Sequence, residues 1–424
     1  MDCPYPDCSA KDLAKEIAAC STCRRFVKSC GSCRAPGRAF ANFCQRCGQP
    51  FPGEDDHWSG YRGGPKRLGL NAAKPEIRLP ESRLLPVPNG DLSLADGCFS
   101  LLSWDSHLIA ISHAGQVEIV EPTTAFHRRL NLQGSVMSCH PCISRSTLFL
   151  GQEGRLTAFS LGALTLPDPK TEPRWQLEVE GRPAEALLAL GDRLFATVKR
   201  RDGRMSLIVV DGVSGSRPAA PRVLLTEPKL SALAGDFLSQ TVHLLSEAKG
   251  RLQLHCLKAG VVPLRVSSVP FHDLPVGPMQ NTVVAAMGNK LFTVVGEEDQ
   301  LCRLEWGKGA IRLDSDVKKF ALGSVDQWGQ VETNGIRFPY LHRREKLGHM
   351  DRVIGQPLII RGFAFAVGLQ DGRVLLYDWH GPHQQREIRV DSQENGITAL
   401  ASFGPYLATG SARGKVALYE VVAK

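Results

Sequence analysis

From about residue 81 to residue 424 the chain repeats one arrangement: an apolar run, a short turn, a second apolar run, a turn ending in Gly, and a third, alternating run. Runs of β-branched, aliphatic and aromatic residues bounded by Gly, Pro, Asn and Asp read as β-strands. No stretch after Pro80 carries the period of a long amphipathic helix. The clearest copy is GITALASFGPYLATGSARGKVALYEVV, with strands expected at Ile397–Phe403, Tyr406–Ser411 and Lys415–Val422. The copy before it, PLIIRGFAFAVGLQDGRVLLYDW, repeats the layout with Asp371-Gly372 as its turn. Degenerate copies begin at Phe99, Ser146, Ala184, Leu230 and Asn281, which makes seven in all.

A repeat of about 40–50 residues is the length of one four-stranded blade. The expected fold class is therefore mainly β: a seven-bladed (six to eight) β-propeller over 81–424. Two immunoglobulin-like sandwiches would use similar strands but do not predict this spacing. The last copy stops at its third strand, and Arg83–Val87 is expected to supply the missing outer strand and close the ring. Residues 324–350 break the rhythm and read as an insertion between the fifth and sixth copies, or as the remnant of an eighth blade. Tyr377-Asp378 stands where a WD repeat has its Trp-Asp pair, and Gly348-His349 precedes it by a typical interval. The last two copies thus resemble WD repeats. The resemblance implies a ring that docks proteins.

The first fifty residues are organised differently. Cys3-x4-Cys8, Cys20-x2-Cys23, Cys30-x2-Cys33 and Cys44-x2-Cys47 place eight of the thirteen cysteines there as four hooks. Two such hooks bring four thiolates to one tetrahedral Zn2+. A disulfide framework and iron–sulfur ligation are the rivals. The opening MDCPYPDC has no basic n-region or apolar core, which argues for a reducing, cytoplasmic setting. Iron–sulfur sites usually cluster three cysteines more closely. The close Phe43-Cys44-Gln45-Arg46-Cys47-Gly48 has the form common in zinc ribbons, and residues 1–50 resemble a double zinc ribbon; the opening Cys3-x4-Cys8 hook departs from that pattern. The resemblance implies two structural Zn2+, one on Cys3, Cys8, Cys20 and Cys23 and one on Cys30, Cys33, Cys44 and Cys47. An interleaved cross-brace is the other pairing, but its usual histidine is missing, since the first His is His57.

Residues 51–80 are rich in Gly, Pro and charge and read as a flexible tether, with Trp58, Tyr61 and the basic cluster Arg62–Arg67 as features a partner could order. No run approaches the length of a membrane-spanning helix. The formal net charge of +8 invites nucleic acid as a partner. The metal alters that sum: residues 1–50 are formally +4, and eight thiolates with two Zn2+ bring them near zero.

The sequence contains no phosphate loop, no Gly-x-Ser-x-Gly elbow and no His-Glu-x-x-His. His113, His243 and His255 read as packing or surface histidines, and Cys98, Cys256 and Cys302 as small apolar fillers. Cys139-His140-Pro141-Cys142 could close a redox disulfide, yet no thioredoxin-like pattern surrounds it. Partner-binding candidates are Arg24, Arg25, Lys28, Arg34, Arg38 and Arg46 on the ribbons, and Phe338, Tyr340, Arg343 and Arg344 in the irregular stretch. A further charged turn runs from Lys199 to Arg204. The expected function is a non-enzymatic adaptor that joins protein partners through ribbons and ring, with neither a membrane nor a small-molecule substrate. The alternative is a nucleic-acid binder using the basic ribbons. A propeller enzyme or a ubiquitin-ligase-like module is a third class.

Overall fold

The computed structural model describes residues 79–423 apart from short internal stretches, together with 27–29, 35–38 and 70–71. Within the first span the backbone forms eight successive antiparallel four-strand units. Blade one is Cys98–Trp104, His107–Ser112, Gln116–Glu121 and Phe126–Asn131. Blade two is Met137–Ser144, Thr147–Gln152, Arg155–Ser160 and Trp175–Glu178, and blade three is Arg182–Leu190, Arg193–Lys199, Met205–Asp211 and Arg222–Glu227. Blade four breaks its inner strand into Lys229–Leu230 and Ala234–Asp236, then continues with Thr241–Ala248, Arg251–Lys258 and Val266–Phe271. Blade five is Val284–Met287, Lys290–Val295, Gln300–Glu305 and Gly309–Asp314. Blade six is Lys319–Ser324, Gln327–Glu332, Gly335–Phe338 and Arg343–Lys346, and blade seven is Leu358–Ile360, Ala364–Gly368, Arg373–Asp378 and Gln385–Arg389. Blade eight takes Ile397–Phe403, Tyr406–Ser411 and Lys415–Ala423 from the end of the chain and its outer strand, Ser82–Pro86, from the beginning.

The expected closure is therefore present, with Tyr419↔Pro86 through Ala423↔Ser82 in register. Leu92–Ser93 extends the same edge against Val416 and Lys415. Just past Ser93, Leu94 N–H bonds the Gly414 carbonyl at 2.9 Å, and Gly414, at φ +87°, has no room for a Cβ, which would sit 1.9 Å from the Leu94 carbonyl oxygen. Of the two readings of 324–350, the insertion needs correction and the eighth blade holds. Lys319–Lys346 is a complete blade, which puts the count at the top of the expected range of six to eight.

The core is a belt between neighbouring blades. Leu102, Ile109 and Ile119 of blade one pack with Ile143, Leu148 and Leu150 of blade two. Leu188, Phe195 and Leu207 of blade three meet Val242, Leu244 and Leu257 of blade four. Blades five and six share Phe292, Leu301, Val317 and Phe320, while Leu358, Leu407 and Leu101 join blades seven, eight and one. Each blade's second strand lies between two neighbours. Thus every residue of His107–Ser112, Thr147–Gln152, Ala364–Gly368 and Tyr406–Ser411 is buried. Outer strands such as Phe126–Asn131 alternate buried and exposed positions, as a half-covered edge requires.

Of the tether, residues 70–71 are described, and they form a short strand: Leu70 pairs with Ile359 and Asn71 with Ile360, parallel, on the inner edge of blade seven. The remaining residues expected in the tether before Leu79 lie outside the described residues. No helix among the described residues is long and apolar enough to cross a membrane.

Candidate functional site

Cys3, Cys8, Cys20, Cys23, Cys30, Cys33, Cys44 and Cys47 lie outside the described residues, as do Arg24, Arg25, Arg34 and Arg46. What is described there is an antiparallel hairpin, Val27–Ser29 with Pro36–Arg38, paired Val27↔Arg38, Lys28↔Gly37 and Ser29↔Pro36. Its strands flank the Cys30-x2-Cys33 hook in the sequence and carry two of the basic candidates, Lys28 and Arg38, at diagonal register positions.

The aromatic–arginine stretch of blade six divides once folded. Phe338 is fully buried, edge-on to Phe365 at 5.3 Å and to Trp379 at 6.0 Å, and so packs blade six against blade seven. Arg343 is 6% exposed; its guanidinium lies 5.1 Å from the Phe338 ring centre, donates to the Asp378 carbonyl at 3.2 Å and bonds Glu345 at 2.8 Å. Tyr340 donates its hydroxyl to the Trp379 carbonyl at 2.7 Å, and burial raises the phenol above its usual range. Phe338 and Arg343 are thus withdrawn from partner contact by an interblade contact, a correction to the sequence expectation. Arg344 remains exposed and pairs with the buried Glu332 at 2.5 Å. Alternating aromatic and basic residues describe a strand with one packed face as well as a recognition segment, so the sequence pattern alone did not separate the two.

The turn between the second and third strands of blade three is exposed at its tip. Arg200 N–H bonds the Arg204 carbonyl at 2.8 Å, and Asp202 accepts from the Arg204 N–H at 3.0 Å. Lys199, Arg201 and Arg204 are exposed, and Arg182 faces Lys199 across the two strands. Like charges placed directly opposite one another are mildly destabilising in a sheet. This row of cations, with Glu180 paired to Arg200 at 3.3 Å, makes a basic exposed edge on blade three.

Elsewhere, the ionisable groups within the ring are committed to packing. His255 stands between the Ser246 and Ser268 hydroxyls, 2.7 Å from each, and burial pushes its pKa down to about 4. Glu118, fully buried, is bonded by His127 and Arg129 at 2.5 Å each. The Lys319 ammonium donates to the carbonyls of Val353 (3.4 Å), Ile354 and Gly355 (2.9 Å), tying blade six to the segment that leads into blade seven; burial, helped by Arg352, lowers its pKa to about 8. His113, exposed, tilts against Phe99 at 4.7 Å, and His140 stacks on the same ring at 4.5 Å. His243 is buried in its strand.

Cys139 and Cys142 both lie on the inner strand of blade two, buried in the cluster of Phe149, Trp175 and Leu187. Burial raises the Cys98 thiol to about 12 and the Cys302 thiol to about 11, which keeps them protonated and unreactive, as small fillers. Cys256 is half-buried. Among the described residues no three His, Cys, Asp or Glu side chains converge as metal ligands. Two features escaped the sequence reading: the carbonyl cage of Lys319 and the strand at Leu70–Asn71. The only available signal for the second was an apolar island, Leu68-Gly69-Leu70, inside a polar tether.

No family model matches the chain, and no curated protein matches its sequence. Solved structures do resemble it. The computationally designed Ika8 protein superposes with a TM-score of 0.59 at 11% identity, covering 80% of this chain and 99% of the other. BamB from Moraxella catarrhalis gives 0.54 at 17% identity, covering 80% and 98%. The quinohemoprotein alcohol dehydrogenase ADHIIG from Pseudomonas putida HK5 gives 0.60 at 10% identity, covering 87% and 81%. At such identities the likeness is one of fold: the chain is mainly β and propeller-like. A set that joins a designed protein to an enzyme does not choose a function.

Proposed function

We propose that the chain is a non-enzymatic adaptor with two docking arms, a rigid ring whose last two blades are of WD type and an N-terminal pair of zinc ribbons. The observation that carries this reading is the closure of the ring by Ser82–Pro86, the strand that follows the Cys-rich region across the tether. A closed ring presents preformed docking faces without exposed strand edges. A second module attached at its seam makes binding to one arm raise the effective concentration at the other. In the ribbons Cys3, Cys8, Cys20 and Cys23 hold one Zn2+, and Cys30, Cys33, Cys44 and Cys47 the second. Four thiolates close the metal's coordination sphere, so the ions are structural. On the ring, the exposed cations of blade three and Arg344 are the surface groups we assign to protein contact.

The test is to purify the tagged full chain, and the chain lacking residues 1–50, from native cells with and without nuclease. Proteins that persist through nuclease, a subset of them lost on deletion, support the adaptor. Nucleic acid recovered only with residues 1–50, and released steeply by salt, overturns it in favour of the basic ribbons as readers.

A further inference from the structure

We propose that the segment at Leu70–Asn71 enters the central channel from the face carrying the turns between second and third strands. The argument runs on strand direction. Leu358–Ile360 is the innermost strand of blade seven and pairs antiparallel with Ala364–Gly368 on one side. Its other edge faces the channel, and Leu70–Asn71 occupies that edge, also close to the inner strand of blade six. The pairing is parallel, so both strands run the same way, away from the face where inner strands begin. That face also holds the turns after each second strand, including Arg200–Arg204, Gln370–Gly372 and Ala412–Gly414. The chain before Leu70 therefore approaches from this side.

The return path fixes the other end. Ser82–Pro86 is antiparallel to Lys415–Ala423 and so runs back toward the turn-bearing face, which means that its start lies on the opposite one. There Arg386, on the outer strand of blade seven, donates to the carbonyls of Leu79 at 3.0 Å and Ser82 at 2.8 Å and to the Ser82 hydroxyl at 3.1 Å. Between Asn71 and Leu79 the chain passes from the innermost to the outermost strand of one blade. From the Leu70–Asn71 strand to the outer strand are four strand spacings, roughly 19 Å. The eight steps of chain from Asn71 to Leu79 reach at most about 26–29 Å. That is enough for one crossing beneath blade seven and for little else. Two residues of pairing hold the strand only weakly, but the rim anchor keeps the segment beside its edge and makes the pairing intramolecular.

The threading itself is testable without any partner. In the full chain, a photo-reactive phenylalanine derivative replacing Asn71 is expected to form an intrachain adduct within 353–369 or 319–324. The same group replacing Leu68 is expected to mark the turn-bearing face, at 370–372 or 412–414. Adducts on the outer strands, on the opposite face at 403–406, or nowhere on the ring overturn the proposal. As an independent readout, the double variant Leu70→Pro/Asn71→Pro is expected to speed amide exchange at Leu358–Ile360 at least tenfold while Lys415–Ala423 stays protected. Unchanged exchange at Leu358–Ile360 overturns it as well. Loss of partner binding with the adducts intact would count against the adaptor alone.

Discussion

Blade eight buries Leu400, Ala401, Leu407, Ala408, Val416 and Leu418 in one apolar cluster, whereas blade six buries Gln330, Glu332 and Arg343 alongside Phe320, Ile336 and Phe338. Both are four antiparallel strands, but they hold together differently. Blade eight follows the alternation and small-residue turns expected of a strand facing hydrocarbon. In blade six, Gln330 donates to Glu332 at 3.1 Å and to Asp314 at 2.9 Å, Arg344 closes on Glu332, and Arg343 lies over Phe338. Each buried polar group there depends on a partner, since an unpaired one costs a few kcal/mol. Local pattern suffices to build the first kind of blade. The second exists only once its partners are in place.

The largest effect should come from the seam. A chain lacking residues 1–86 loses the outer strand of blade eight together with the burial of Leu79 and Leu84, on the order of 5 kcal/mol. A chain lacking only residues 1–78 keeps them. Urea unfolding should separate the two truncations widely; equal midpoints would mean that the ring does not depend on closure.

Next in size is Arg343→Ala, expected to cost about 3 kcal/mol because it removes a buried charge from its carbonyl and ring contacts. Arg343→Met, which refills the space, should recover much of that loss. Arg344→Ala, next to it on the exposed face of the same strand, should cost no more than about 1 kcal/mol. If thermal unfolding ranks the two arginines equally, blade six is not organised around its buried one.

A steric test of the same blade follows. A Cβ on Gly329 would meet the Phe365 ring at 2.5 Å, so Gly329→Val should destabilise by about 2 kcal/mol. Adding Phe365→Leu should relieve part of that penalty, and a double-mutant cycle measures the coupling. Additive losses would show that the two blades do not interlock there.

Blade four provides a pH test of polar burial. The folded pKa of His255, about 4, lies below its ordinary 6.5, so the neutral ring is favoured in the fold. Its contribution is complete above pH 6.5 and lost as pH falls through 4, up to about 3 kcal/mol. The urea midpoint followed across that window should fall more steeply for the natural chain than for His255→Gln. Parallel curves would mean that the Ser246–His255–Ser268 chain accepts a proton without cost.

Much of this architecture was legible beforehand, unevenly and for physical reasons. The strands of blade eight and their Ala-Arg-Gly turn lie where alternation and glycine place them. The closing strand at Ser82–Pro86 could be anticipated because an incomplete last blade needs a partner from elsewhere. Blade six was legible only as one of two readings, the remnant of an eighth blade beside an insertion: Trp328-Gly329 and Gly335 interrupt its apolar runs, and Gly329 is small to admit Phe365 from a strand thirty-odd residues away. The candidate surface divided along the same line. Exposed cations at the blade three turn could be found from charge and turn chemistry alone. Phe338 and Arg343 belonged to packing because blade seven covers them.

By itself, then, the sequence determined the strand-rich repeat, the need for closure and the hooks spaced for metal, since turn chemistry, alternation and ligand spacing act over a few residues. Only the tertiary structure decided that there are eight blades, which arginine is buried, and that Leu70–Asn71 lies along the channel. Those outcomes depend on contacts between segments up to about 290 residues apart, Leu70 against Ile359 among them. No local pattern encodes which surfaces will face each other at that range.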